Sequence, residues 1–138
     1  MEDLCINLRS INKSDIRFLY NQLKERESII NISHKKMPTY TEHSQFILSK
    51  PYSKWYIIIH KNKKIGNTYL TKTNEIVIFI LKSTKINGIG RIVLEEIMKM
   101  NPRSRYLANV NPKNKRSIDF FKKNGFRLIQ YTYELTSN

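Results

Sequence analysis

The run Ile76-Val77-Ile78-Phe79-Ile80-Leu81 is the longest uninterrupted apolar stretch in the chain and constrains the fold more than any other segment. It is far shorter than the roughly 20 residues that span a bilayer. A strand from Glu75 to Leu81 without polar alternation reads as buried on both faces. Lys85-Ile86-Asn87-Gly88-Ile89-Gly90 follows and leads into a helix with Ile89, Ile92, Val93, Ile97 and Met100 on one side. A buried strand, a glycine turn and an amphipathic helix in that order belong to an α/β architecture.

The flanking segments fit the same class. Ile6 to Arg9 reads as a short strand. Ser14 is placed to cap a helix with Asp15 in its first turn, where a carboxylate suits the helix dipole. Ile16, Leu19, Tyr20 and Leu23 then supply a helical stripe. After a looser stretch from Ser28 to Tyr40, Thr41 is placed to cap a second helix that ends before Pro51. Lys54 to His60 and Ile65 to Thr71 form a hairpin about the polar turn Lys61 to Lys64. Arg105 to Val110 reads as a strand. Asn111-Pro112 opens a last helix closed by Gly125, and Phe126 to Leu135 reads as a final strand. No repeat or linker divides the 138 residues, so one domain over 1–138 is expected.

Composition narrows the class. A single cysteine, Cys5, excludes a disulfide scaffold, and with no apolar leader at the start a cytoplasmic protein is expected, with no membrane partner. The three histidines and one cysteine show no metal-ligand spacing, so no metal is expected. The net charge of +14 suits a nucleic-acid binder or a protein that takes anionic ligands. It equally suits biased codon usage, since 17 Lys, 20 Ile and 14 Asn make up a large share of the chain and the basic residues are scattered. A nucleic-acid interface would interleave a basic stripe with aromatics, and these lysines do not cluster that way.

Chemistry concentrates at Lys85 to Gly90. A buried strand entering a glycine turn and a helix aims unpaired backbone N–H groups at one point, an anion site of the kind that holds a pyrophosphate. Gly88 and Gly90 remove side chains that would hold phosphate oxygens off, and Lys85 adds positive charge. A plain turn has the same glycines. These six residues resemble the acetyl-CoA loop R/Q-x-x-G-x-G/A of the GNAT acetyltransferase superfamily, with lysine in place of the usual Arg or Gln. Asn114-Lys115-Arg116-Ser117-Ile118-Asp119-Phe120-Phe121-Lys122-Lys123-Asn124-Gly125-Phe126 is similar to that family's N-x-x-[AS]-x-x-[FL]-[YF]-x-K-x-GF helix. The resemblance runs from Leu8-Arg9 to Tyr133-Glu134-Leu135. It implies a GNAT fold, a mixed central sheet of about six strands flanked by about four helices. Tyr40-Thr41-Glu42-His43 with Phe46 resembles the Y-x-E-H-x-x-[WF] segment of GNAT enzymes that acetylate nucleotide-linked amino sugars, of the pseudaminic type. Gln22-Leu23-Lys24 departs from the W/L-R-N trio usual in those enzymes.

The resemblance implies an acetyl-CoA-dependent N-acetyltransferase. The cofactor would lie along Ile78, Phe79, Ile80 and Leu81, over Lys85, Ile86, Asn87, Gly88, Ile89, Gly90 and Arg91, and beside Asn114, Ser117 and Phe121. The acceptor would be a small-molecule amine, an amino sugar by preference, and a homodimer is an allowed assembly. Glu75 stands where many members carry a general-base glutamate, though a strand-end carboxylate is also simply solvated. His43 is the second base candidate, since imidazole titrates near pH 7; packing is its bland alternative. Phe121 occupies the position where many members use a tyrosine to protonate the departing thiolate, leaving water, Tyr131 or Tyr133 for that task. This inventory favours an amine of low pKa over a lysine side chain near 10.4. The alternatives are a protein or peptide acceptor, a basic nucleic-acid-binding domain, and a GNAT-shaped binding module without catalysis.

Overall fold

The structure is a computed structural model describing residues 5–26 and 37–137, so most of the loose stretch after Ser28, His34 included, lies outside the described residues. Four strands, β1 (Ile6–Ser10), β2 (Lys54–His60), β3 (Lys63–Leu70) and β4 (Ile76–Ile80), form a sheet in the order β1-β2-β3-β4. Every pairing is antiparallel. Lys61 and Asn62 turn the β2–β3 hairpin with φ of 50° and 63°, the left-handed pair a tight two-residue hairpin demands.

Helices cover both faces. α1 (Ile16–Glu25) and α2 (Tyr40–Leu48) lie on one, and α3 (Ile89–Met100) packs on the other. Pleating sends neighbouring residues to opposite faces. Ile57 thus meets Leu19 and Ile47 on the α1–α2 side, and Ile58 meets Val93, Leu94 and Ile97 on the α3 side. Both isoleucines are completely buried, and each contributes about 1.5–3 kcal/mol by leaving water. α4 (Lys115–Lys123) follows Asn114, whose side chain caps it, and Pro112 sits in the turn before. Gly125, at φ 91°, ends the helix as its spacing predicts.

Three helix starts differ from the sequence reading: α4 begins at Lys115 behind Asn114, not at Pro112, and in the other two a carboxylate three residues on selects the cap. Asn12, not Ser14, caps the short turn Lys13–Asp15 that runs into α1, and Thr39, not Thr41, caps α2 with Glu42 closing the box. Asp15 is no surface dipole partner. Its carboxylate is fully buried and held by Arg9 at 2.8 Å, Lys64 at 2.7 Å and the Asn12 N–H at 2.8 Å, which ties β1 and β3 to the start of α1. Burial pushes its pKa up, but hydrogen bonds from Arg9, Lys64 and Asn12, with the Lys64 charge, outweigh it and hold the group at about 2. A depressed carboxyl adds stability above its unfolded value and loses it as pH falls through the folded one. Melting temperature is therefore expected to drop between about pH 4 and pH 2, as roughly 2 kcal/mol is lost. In Asp15→Asn that acid-limb loss should shrink; an unchanged limb would refute the assignment.

The sheet is smaller than expected: four antiparallel strands in place of a mixed sheet of six. Arg105 to Val110 contributes a single parallel bridge, Glu75 to Leu107. Beyond it the Asn109 side chain turns to the Glu75 carboxylate, and Pro112, which has no N–H to give a ladder, follows. Phe126 to Leu135 forms no strand, and Leu128, Ile129, Tyr131, Tyr133 and Leu135 are exposed. Alternation makes a segment fit for a sheet but does not supply the neighbouring ladder.

Candidate functional site

The open edge of β4 is set by register. Thr71 N–H donates to Glu75 O at 2.9 Å and Leu81 N–H to Ile65 O at 2.8 Å. Alternate residues of an antiparallel strand pair to one side, so Val77 and Phe79 face β3, while Ile76, Ile78 and Ile80 direct their N–H and C=O groups the other way. At Ile76 that side is occupied, its N–H donating to Leu107 O at 2.8 Å while Leu107 N–H reaches Asn74 O at 2.9 Å. Past this bridge no strand among the described residues pairs with β4. The N–H groups of Ile78 and Ile80 therefore line an open edge.

That edge leads through Leu81 to the glycine turn. Gly88 caps α3 at φ 78°, and a Cβ placed there would meet nothing within 4 Å. The first-turn N–H groups of α3 have no partners within the helix. Gly90 serves packing, since a Cβ on it would lie 3.0 Å from the Phe120 ring of α4. Of the other sequence candidates, Lys85 and Asn87 are exposed, Ile86 is half-buried and Ile89 is buried. Arg91 is exposed and turned along α3 to Glu95 at 2.9 Å. Asn114 accepts the Ser117 N–H at 3.3 Å, so both help close the α4 cap. Phe121 packs against the Phe120 and Phe126 rings, each 5.1 Å away.

On the other side of the β4 backbone, beneath α1 and α2, lies a cavity of about 220 Å³. Its walls are aromatic: Phe46, Tyr52, Trp55, Tyr69 and Phe79, with His43 from α2. Tyr52 and Tyr69 stack at 3.8 Å with nearly parallel rings, and Trp55 stands edge-on to them. Burial, with Tyr69 beside it, pushes the Tyr52 phenol well above its ordinary range and keeps it protonated. A polar relay crosses the cavity. The Trp55 indole N–H donates to Asn67 Oδ1 at 3.0 Å, Asn67 Nδ2 to Gln22 Oε1 at 2.6 Å, and Gln22 Nε2 to the Phe79 carbonyl at 3.0 Å. Four elements are joined by it, and one end holds the β4 backbone itself.

The two base candidates fall in different places. His43 is buried against the Tyr20 and Phe46 rings and lines the cavity. Glu75 shares the strand face of Phe79 but does not line the cavity; its carboxylate accepts hydrogen bonds from Thr71 and Asn109 and anchors the segment around Leu107. Glu42, at the cavity wall, is held below its ordinary pKa by the Thr39 backbone N–H and hydroxyl, so it is a weak proton acceptor. Sequence reasoning missed Gln22, Tyr52, Trp55, Asn67 and Tyr69. The signal was Asn67, a polar residue in mid-strand on the face it shares with Tyr69 and the cross-strand Trp55. Among the described residues no cluster of His, Cys, Asp or Glu could hold a metal, and no helix is long and apolar enough to cross a membrane.

No family model matches the chain. A 74-residue stretch is 27% identical to the peptidyl-lysine N-acetyltransferase YjaB of Escherichia coli (strain K12), covering 54% of this chain and 49% of that protein. The chain thus spans about half the length of the curated relatives it matches. Among solved structures, a domain from Methanocaldococcus jannaschii superposes with a TM-score of 0.80 at 24% identity, covering 96% of this chain and 94% of that one. The spermidine/spermine N-acetyltransferase SpeG of Vibrio cholerae gives 0.72 at 15% identity over 88% and 79% of the two chains. A GNAT-family acetyltransferase from Streptococcus pneumoniae gives 0.67 at 20% identity over 91% and 87%. With a shared helix-covered sheet over nine-tenths of its length, this chain has the fold of the GNAT acetyltransferases.

Proposed function

We propose that the chain is a single-domain cytoplasmic N-acetyltransferase that moves the acetyl group of acetyl-CoA directly to a primary amine. The observation that carries this reading is the position of the open β4 edge, between the α3 N-terminus on one side and an aromatic cavity on the other. The residues fit the cofactor: Gly88 leaves its approach clear, the first-turn N–H groups of α3 with Lys85 suit a pyrophosphate, and the Ile78 and Ile80 N–H groups suit a thioester carbonyl. Acetyl-CoA supplies an activated acyl group. The chain holds it, places the amine in the cavity and keeps that amine neutral, with His43 as the group that takes the proton. Glu75, committed to Thr71 and Asn109, acts as the anchor of the open edge.

The acceptor read from the Tyr40-to-Phe46 segment is a nucleotide-linked amino sugar, and the aromatic cavity walls support it, since sugar rings pack on flat aromatic faces. The likeness to a peptidyl-lysine acetyltransferase favours a lysine side chain as the second reading. A thermal melt tests the cofactor. Acetyl-CoA at about 100 times its dissociation constant should add about 2.7 kcal/mol, a rise of roughly 8–12 °C for a domain of this size. ATP at equal charge should give less, and equal shifts would remove the cofactor assignment. A panel of amino sugars and lysine peptides, read by the mass of one added acetyl group, separates the acceptors; labelling of peptides alone would refute the sugar.

A further inference from the structure

The geometry points to Arg26 as the residue that selects the acceptor: the cavity takes a ring-bearing amine that also carries an anionic group, the ring against the Tyr52–Tyr69 wall and the anion on the guanidinium. The word acceptor rests on the acetyltransferase reading; the binding selectivity does not. Arg26 ends α1, where the helix stops in extended backbone, and it lines the cavity. Its guanidinium lies 3.6 Å over the centre of the Phe79 ring. Stacking holds the group flat and leaves its N–H edge available for a bidentate contact with a carboxylate or phosphate. Among the described residues no carboxylate pairs with it.

The opposite choice, a polycationic acceptor held by the aromatic walls, is disfavoured by the same residues. The Phe79 face is already covered by a cation. Glu42, the carboxylate lining the cavity, is engaged in capping α2 through the Thr39 N–H at 2.8 Å. A second positive charge would sit beside Arg26 without a counter-ion, whereas an anion would be drawn in by a chain of net charge +14.

The chain has one tryptophan, Trp55, and it stands in the cavity wall, so its fluorescence reports occupancy without cofactor or turnover. Two pairs of probes share a ring and amine and differ in the anion: glucosamine 6-phosphate with glucosamine, and phenylalanine with phenethylamine. In at least one pair the anionic member is expected to quench Trp55 at a concentration about tenfold or more lower. The pair that responds tells phosphate from carboxylate. Arg26→Gln should erase the preference, and Arg26→Lys, which keeps the charge without the planar fork, should retain part of it. Equal binding within both pairs, tighter binding of spermidine than of either anion, or a preference that survives in Arg26→Gln would each overturn the inference. A preference without any acetyl-CoA response in the melt removes the enzyme reading and leaves this one standing; the reverse result removes this one alone.

Discussion

Gly66→Ala is expected to lower the melting temperature by about 10 °C or more, a loss of about 3 kcal/mol. A Cβ at Gly66 would lie 2.1 Å from the Phe79 carbonyl oxygen and 3.0 Å from the Ile80 Cα. Both are backbone atoms, so no side-chain rotation relieves the contact and β3 must move from β4. The site is confined further by the irregular β2–β3 register at Ile58 and Ile59, where Gly66 faces Ile58. The displacement would also shift the carbonyl that Gln22 holds, so acetyl-CoA binding should weaken along with stability. A melting temperature within a degree or two of the parent would show that β3 and β4 do not approach so closely.

Gly88→Glu is expected to act on binding and leave the fold nearly intact. A Cβ at Gly88 would meet nothing within 4 Å, and the strain of a non-glycine residue at φ 78° costs about 1–2 kcal/mol. A carboxylate at that point suits the positive end of α3, but it occupies the ground proposed for the pyrophosphate. Acetyl-CoA affinity should fall about 100-fold or more, or roughly 2.7 kcal/mol. Gly88→Asn separates charge from strain, because asparagine tolerates left-handed backbone and carries no charge; it should keep affinity within a few-fold of the parent. Titration calorimetry on both variants decides the matter. Unimpaired affinity in Gly88→Glu would mean that the pyrophosphate does not lie at the α3 N-terminus.

Much of the scaffold was legible because local patterns carried it. The β2 limits, the α3 helix and the Gly125 stop depend on periodicity and on one backbone conformation, and the structure matches them, with Leu94 buried in the α3 stripe and Met100 exposed. The glycine turn before α3 was legible for the same reason, with Gly88 as the helix cap and Gly90 in its first turn. The cavity was not, because its lining comes from α1, α2, β2, β3 and β4, residues up to 60 positions apart that only register and helix packing bring together.

The limits of local pattern show equally at both ends of the sheet. Phe126 to Leu135 alternates as a strand does, yet a strand exists only where a neighbour offers its ladder, and the Leu107 segment leaves β4 after one bridge. Asp15 reads as a helix-start carboxylate; that it is buried between Arg9 and Lys64 depends on β1 and β3 arriving beside it. The sequence by itself determined which segments become strands and helices in the centre of the chain and where the glycine turn lies, since those follow from side-chain spacing and backbone freedom within a few residues. The tertiary structure alone decided how many strands join the sheet, which β4 N–H groups stay open and what lines the cavity, because burial and hydrogen-bond completion are properties of neighbours that the chain order does not list.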